Sequence, residues 1–113
     1  MTQEQPAFLR IWRGRVPRAR ADEYESYWLA HSIEPLLKKG ALGVQCARED
    51  RDSESEFVTL SYWRSVEDMT GGGGGDPTEV HPLDRDPEFL IELPKKVQIL
   101  RLLRVDGFTG SPA

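Results

Sequence analysis

From Phe57 to Arg64 the side chains alternate with period two. Phe57, Thr59, Ser61 and Trp63 fall on one face of an extended segment, and Val58, Leu60, Tyr62 and Arg64 on the other. Bulk on both faces predicts a strand with material packed on each side of its sheet. The same alternation runs from Ala7 to Val16, where Phe8, Arg10 and Trp12 oppose Leu9, Ile11 and Arg13, and Pro17 closes the segment. Val44 to Glu49 reads as a further strand, joined by a polar hairpin connection at Asp50 to Ser55 to the strand beginning at Phe57. Val97 to Val105 predicts the last strand, with Val97, Ile99, Arg101 and Leu103 set against Gln98, Leu100, Leu102 and Arg104.

Between these segments the period changes to 3.6. From Ala21 or Asp22, the residues Tyr24, Tyr27, Trp28 and His31 form a single stripe at helical spacing. Pro35 lacks a backbone donor and crowds the preceding turn, so the helix is expected to kink or restart there; Leu36 and Leu37 continue its buried side to Gly40, a C-cap. Ser65 followed by Asp68 has the spacing of a capping box, with Asp in place of Glu, and predicts a second helix from Val66. Gly71 to Gly75 then break the pattern: five glycines have no side chain to bury and predict a flexible loop. Two origins fit this run, a natural glycine tract and an engineered replacement for a longer insertion. Asp86 and Pro87 suit the N-cap and N1 positions of a short helix, Glu88 to Leu93, which Pro94 ends. The order is β-α-β-β-α-β with a short extra helix before the last strand. It predicts an α+β, ferredoxin-like domain, a four-stranded antiparallel sheet with helices on one face. The domain is expected over residues 7–105, with polar tails at 1–6 and 106–113.

Composition narrows the function classes. A chain of 113 residues suits one domain, and its formal charge of -4 argues against nucleic acid as the main partner. Arg10, Arg13, Arg15, Arg18 and Arg20 crowd the first strand and its exit, and read as a solvated edge balanced by the acidic run Glu49 to Glu56. The lone Cys46 excludes an internal disulfide and reads as a packing group; no Cys/His cluster has zinc spacing. No apolar stretch approaches the ~20 residues of a membrane span, and MTQEQPA lacks the regions of a signal peptide, so the expected location is the cytoplasm. The glycine run lacks the GxxxxGK[ST] pattern of a phosphate loop, and nothing in the chain would bind a flavin or nicotinamide. No cofactor is expected.

The segments EFVTLSYWRSVEDM, joining third strand to second helix, and FLRIWRGRVP, opening the chain, resemble the antibiotic biosynthesis monooxygenase family of dimeric α+β barrels. The likeness covers roughly residues 7–105, and the tryptophan followed by a Ser-capped helix is its sharpest element. It implies a homodimer in which two subunits join their open sheet faces, each keeping a pocket between sheet and helices. It also implies cofactor-independent oxygenation of phenolic polycyclic aromatics or, in another branch, heme degradation, and both branches place a tryptophan where Trp63 stands. The chain departs from the heme-degrading pattern, with Trp12 at about the position of that branch's first-strand asparagine and Gly71 to Gly75 where the histidine-bearing second helix would continue. It also lacks the asparagine that the quinone-forming branch places near Thr59.

The candidate catalytic residues are His31, Trp63 and His81. His31 lies on the helical stripe one turn before Pro35, and an imidazole there could take a proton from a phenol or an activated C–H near neutral pH. His81 sits in the long loop beside Pro82 and could close over a pocket. Trp63, at a strand end, offers a flat face and one N–H donor. Phe8, Arg10, Trp12, Trp28, Phe57 and Thr59 are the candidate substrate-binding residues, Arg10 as a cation able to stabilise a phenolate or enolate. The leading reading is a cofactor-free monooxygenase acting on a small or medium aromatic molecule. Two others stand beside it: a non-catalytic ligand-binding or interaction homodimer, and a cofactor-free isomerase, cyclase or decarboxylase using the same pocket.

Overall fold

The computed structural model describes residues 5–107. The outer parts of the two expected tails lie outside the described residues. Strands β1 (Phe8–Pro17), β2 (Gly43–Asp50), β3 (Glu54–Trp63) and β4 (Gln98–Arg101) form one antiparallel sheet in the order β2-β3-β1-β4, the ferredoxin-like arrangement. Helices α1 (Ala21–His31) and α2 (Ile33–Lys39) and a one-turn α3 (Asp86–Phe89) complete it. β1 and β3 pair along their whole length, with Phe8 opposite Trp63, Trp12 opposite Thr59 and Gly14 opposite Phe57. Ser55, Phe57, Thr59, Ser61 and Trp63 are buried on one face of β3, while Val58, Leu60 and Tyr62 on the other are half-buried. The predicted alternation therefore sorts the two faces correctly.

Several boundaries differ from the sequence reading. β3 begins at Glu54 rather than Phe57, because Arg51 to Ser53 suffice for the turn, closed by the Arg51 amide donating to the Glu54 carbonyl (2.8 Å). The second helix does not form. Ser65 Oγ does accept from the Asp68 amide (3.2 Å) as a cap should, but it opens only a 3-10 turn, Glu67–Thr70. Gly71, at φ 71°, ends that turn, its amide and that of Gly72 donating back to Asp68 and Glu67. α3 starts at Asp86 and ends at Phe89, not over Glu88–Leu93, since Leu90 is extended and its successor Ile91 donates to the Arg15 carbonyl of β1 (2.9 Å). β4 stops at Arg101 rather than Val105, and Leu103 beyond it is 83% exposed. Pro35, by contrast, restarts the helix as expected. α1 ends at His31, and Pro35 falls in the first turn of α2, where an amide would have no helical acceptor. Gly40 (φ 119°) closes α2 by a Schellman motif, with Ala41 donating to Leu36 and Gly40 to Leu37.

The core lies between the sheet and α1. Tyr24 and Phe57 are fully buried with ring centroids 5.1 Å apart, edge to face, and Trp28 meets Phe57 in the same way at 5.0 Å. Arg20 lies 4.2 Å over Phe89, capping this cluster from outside. A second cluster gathers Ala41, Trp63 and Met69 with Phe8, Leu36 and Ile99 packed against it. The arginine-rich edge is balanced in part as foreseen, with Arg15 bonded to Glu54 (3.1 Å) and Arg18 facing Asp50 (3.7 Å). Cys46 is half-buried against the first cluster. No described helix is long and apolar enough to cross a membrane.

Asp86 does not cap α3 as its position in sequence suggested. It is buried, accepting from the Tyr24 hydroxyl (2.9 Å) and from the Leu83 amide (2.9 Å), and so ties the loop before α3 onto α1. Asp86→Ala should cost about 2–4 kcal/mol in urea unfolding by stranding both donors, whereas Asp86→Asn, which keeps an acceptor, should cost less. Burial holds the Asp86 carboxyl above its ordinary range despite these bonds. The native state then binds the proton more tightly than the unfolded chain. Its contribution is full below the unfolded value and lost as pH rises through the folded one, a slope that Asp86→Asn should remove.

Candidate functional site

A cavity of about 120 Å³ opens between the helices and the helix-facing side of β1 and β3. Its apolar wall is Trp12, Trp28, Pro35, Leu36, Val80 and Leu83, and its polar groups are Arg10, Ser32, Lys39, Thr59 and His81. Trp12 and Trp28 stand with ring centroids 6.2 Å apart at 31°, and Trp28 is 3% exposed. A second cavity of about 260 Å³ adjoins it under the glycine loop and shares Arg10, Lys39 and His81 with the first.

Local sequence explains each wall. Gly14 is buried two residues beyond Trp12 on the same strand face, and a Cβ there would overlap the Trp12 indole and come within 3.1 Å of Leu90. Glycine thus leaves the room that the indole occupies. At the α1–α2 junction, Pro35 cannot donate to the preceding turn and the helix breaks at Ser32, whose amide reaches back to Trp28 (2.9 Å). Ser32 Oγ faces this break buried and without a hydrogen-bond partner among the described residues. An orphaned hydroxyl in a cavity wall is a ready donor or acceptor for a bound polar group.

Arg10 differs from the other arginines of its cluster that are paired with carboxylates. Its Nε donates to the Pro77 carbonyl (3.3 Å) and one Nη2 hydrogen to the Glu79 carbonyl (3.0 Å), and among the described residues it has no ion pair. Burial pushes its guanidinium below the ordinary range. Among the described residues no bond engages its Nη1, and Arg10 borders both cavities.

Of the residues singled out from sequence, the fold brings Arg10, Trp12, Trp28, Thr59 and His81 together around the cavity. The others lie elsewhere. His31 is exposed and rests against the Tyr27 ring, 4.9 Å between centroids. Trp63 is fully buried in the second core cluster, and its indole N–H donates to Ser61 Oγ (2.9 Å), so neither its face nor its donor meets the cavity. Phe8 packs in that same cluster and Phe57 in the first. Sequence reasoning missed Ser32, Lys39, Leu36, Val80 and Leu83. Pro35 signalled the helix break that exposes Ser32, but no pattern marked the loop residues. Among the described residues, no three His, Cys, Asp or Glu side chains are grouped as a metal site requires.

No protein-family model and no curated protein matches this sequence. The architecture is similar to the crystal structure of a protein from Bacillus cereus described as a putative antibiotic biosynthesis monooxygenase, with a TM-score of 0.60 over 92% of this chain and all of that one. At 12% identity the likeness is one of fold.

Gly14→Ala tests the placement of Trp12. The added methyl should displace the indole, changing the tryptophan emission spectrum and costing about 1–3 kcal/mol in denaturant unfolding.

Proposed function

We propose that this chain forms a homodimeric, cofactor-independent monooxygenase for a small phenolic substrate held in the cavity beneath α1 and α2. The observation that carries the reading is the cavity's make-up: two indoles for a flat ring, a buried Ser32 hydroxyl with no partner among the described residues, and the His81 imidazole at its border. A volume of about 120 Å³ suits one aromatic ring, near the ~150 Å³ of apolar cavities that hold benzene. The fold shared with the Bacillus cereus protein supports the choice of chemistry by analogy.

In this reading His81 takes over the role of base, since His31 lies outside the cavity. His81 accepts the proton of the phenol or of an activated ring methylene, and Arg10 lowers the cost of the resulting anion. The carbanionic carbon gives one electron to O₂, the radical and superoxide recombine into a C–O bond, and the proton returns to the peroxide. Loss of the C–H proton at that ring carbon with hydroxide leaves a carbonyl and water, so that for a phenol one O–H, one ring C–H and one O₂ become two C=O and one H₂O. The indole walls exclude water from the anion.

The assay is O₂ consumption with a panel of monocyclic phenols and metal-free protein, alongside binding followed by tryptophan quenching. His81→Ala should slow turnover on the order of 10²-fold while changing binding little, and Trp12→Leu should chiefly weaken binding. Binding without O₂ uptake would favour a ligand-binding dimer. No binding at all would sink the reading.

Support for the dimer comes from the face of the sheet that carries no helix. By strand register Leu9, Val58, Leu60 and Tyr62 lie half-buried there around Ile11, which the chain itself already buries, with the exposed Leu100 of β4 beside Leu9. An apolar patch on a sheet face is commonly covered in solution. Sedimentation at low micromolar concentration should give about twice the 12.8 kDa chain mass; a monomer would remove the barrel.

A further inference from the structure

The two adjoining cavities differ in character. The smaller is walled largely by apolar side chains, whereas the larger is bordered by Arg10, Lys39, His81, Asp76, Glu79 and glycine backbone. Arg10 and Lys39 stand between them, and among the described residues neither has a carboxylate partner. Of the two acids at the larger cavity, Asp76 is already engaged by Lys96 and by Thr78. Glu79 alone is left against the two cations, and its backbone carbonyl, not its carboxylate, is what holds Arg10. A half-buried guanidinium that spends two of its donors on carbonyls and keeps its Nη1 edge free is suited to pair with an incoming carboxylate.

We infer that the ligand is an aromatic acid, its ring against the Trp12 and Trp28 wall of the smaller cavity and its carboxylate in the larger one, paired with Arg10 and Lys39. This rests on the aromatic reading of the smaller cavity and narrows it from phenols to phenolic acids. The division of labour is physical. The indole-lined compartment supplies apolar area for one ring, while the cations supply orientation, because a charge fixed at one end determines which ring carbon faces His81. A neutral phenol could enter the same compartment but would leave Arg10 without its counter-charge.

The test compares 4-hydroxyphenylacetate with its amide, which has nearly the same shape and no charge, by tryptophan quenching on the intact protein. The acid should bind about tenfold or more tightly, as expected for a charge-assisted pair. Arg10→Gln should bring the acid-to-amide ratio close to one. Because Arg10 lies on a central strand, Lys39→Gln, at the exposed end of α2, is the companion variant, and should lower the ratio severalfold. Raising NaCl to about 0.5 M should weaken the acid and leave the amide unchanged, since salt screens only the charged pair. Equal affinities for acid and amide would overturn this inference and leave the aromatic reading standing. An acid preference untouched by Lys39→Gln and by salt would overturn it too. If neither compound nor any neutral phenol binds, both fall. Binding of hexanoate as tight as that of the aromatic acid would keep the anion seat and remove the aromatic one.

Discussion

The segment between β3 and β4 has to lie against the sheet without a helix to satisfy its backbone. In a complete ferredoxin-like crossover, the second helix would bond its own amides and carbonyls and present one apolar stripe. Here only a 3-10 turn and the single turn of α3 remain, and side chains, from β1, from α1 and from the segment itself, must supply partners. Arg10 takes the carbonyls of Pro77 and Glu79, Asp86 takes the amide of Leu83, and the Tyr27 hydroxyl takes the amide of Arg85. The short bridge of Glu79 to Lys96 and the Val97 amide on the Thr78 carbonyl complete the docking. Apart from the local bond of Asp86 to Leu83, these contacts are long-range and polar.

That mode of docking explains why space is left beside β1. A helix packs its side chains densely over a sheet, whereas a loop held at a few points touches it at those points and spans the rest. The gap falls between the anchors, above Arg10, Trp12 and Thr59, and it is widened from the other side where Pro35 breaks the first crossover at Ser32. Arg10 therefore serves two ends at once. It holds the loop through two carbonyls, and the same guanidinium presents its remaining donors to the space that the loop encloses.

How much of this could be read in the chain follows from what sequence patterns encode. Alternation in FLRIWRGRVP and EFVTLSYW fixes which side chains share a face, and so places Arg10, Trp12 and Thr59 together. Alternation says nothing about depth along the strand. Trp63 and Phe8 share that face with Trp12, but they lie at the end covered by Ala41, Met69 and Leu36, where the space is filled. Likewise, helical period placed His31 on the stripe of Tyr24 and Trp28. The stripe runs off the sheet before reaching it, and the ring ends on the outer side against Tyr27. The cap at Ser65 was legible and does form, but a cap cannot extend a helix into glycines. The lost second helix was thus written in the composition of residues 71–75, which carried more weight than the capping signal before them. Nothing local marked Val80 or Leu83, because their place at the cavity depends on where a loop is pinned by Asp86 and Arg10.

The two halves of the site consequently differ in kind. Trp12 and Thr59 stand on strands paired along their full length, Trp28 on a helix packed into the core, and Gly14 leaves Trp12 one place to lie. This half is preorganised, and it sets the shape of what binds. His81 stands on the loop, exposed, with Pro82 behind it and its nearest long-range anchor at Arg10 on Glu79. An imidazole so placed has its position at the cavity set by how the loop is held, not by the sheet. The carbonyl bonds of Arg10 thereby do more than secure the loop: they determine where the imidazole sits relative to the indoles. A carboxylate at the Nη1 edge would pin the same guanidinium from its other side, so that occupying the polar cavity would also steady the loop that carries the His81 imidazole.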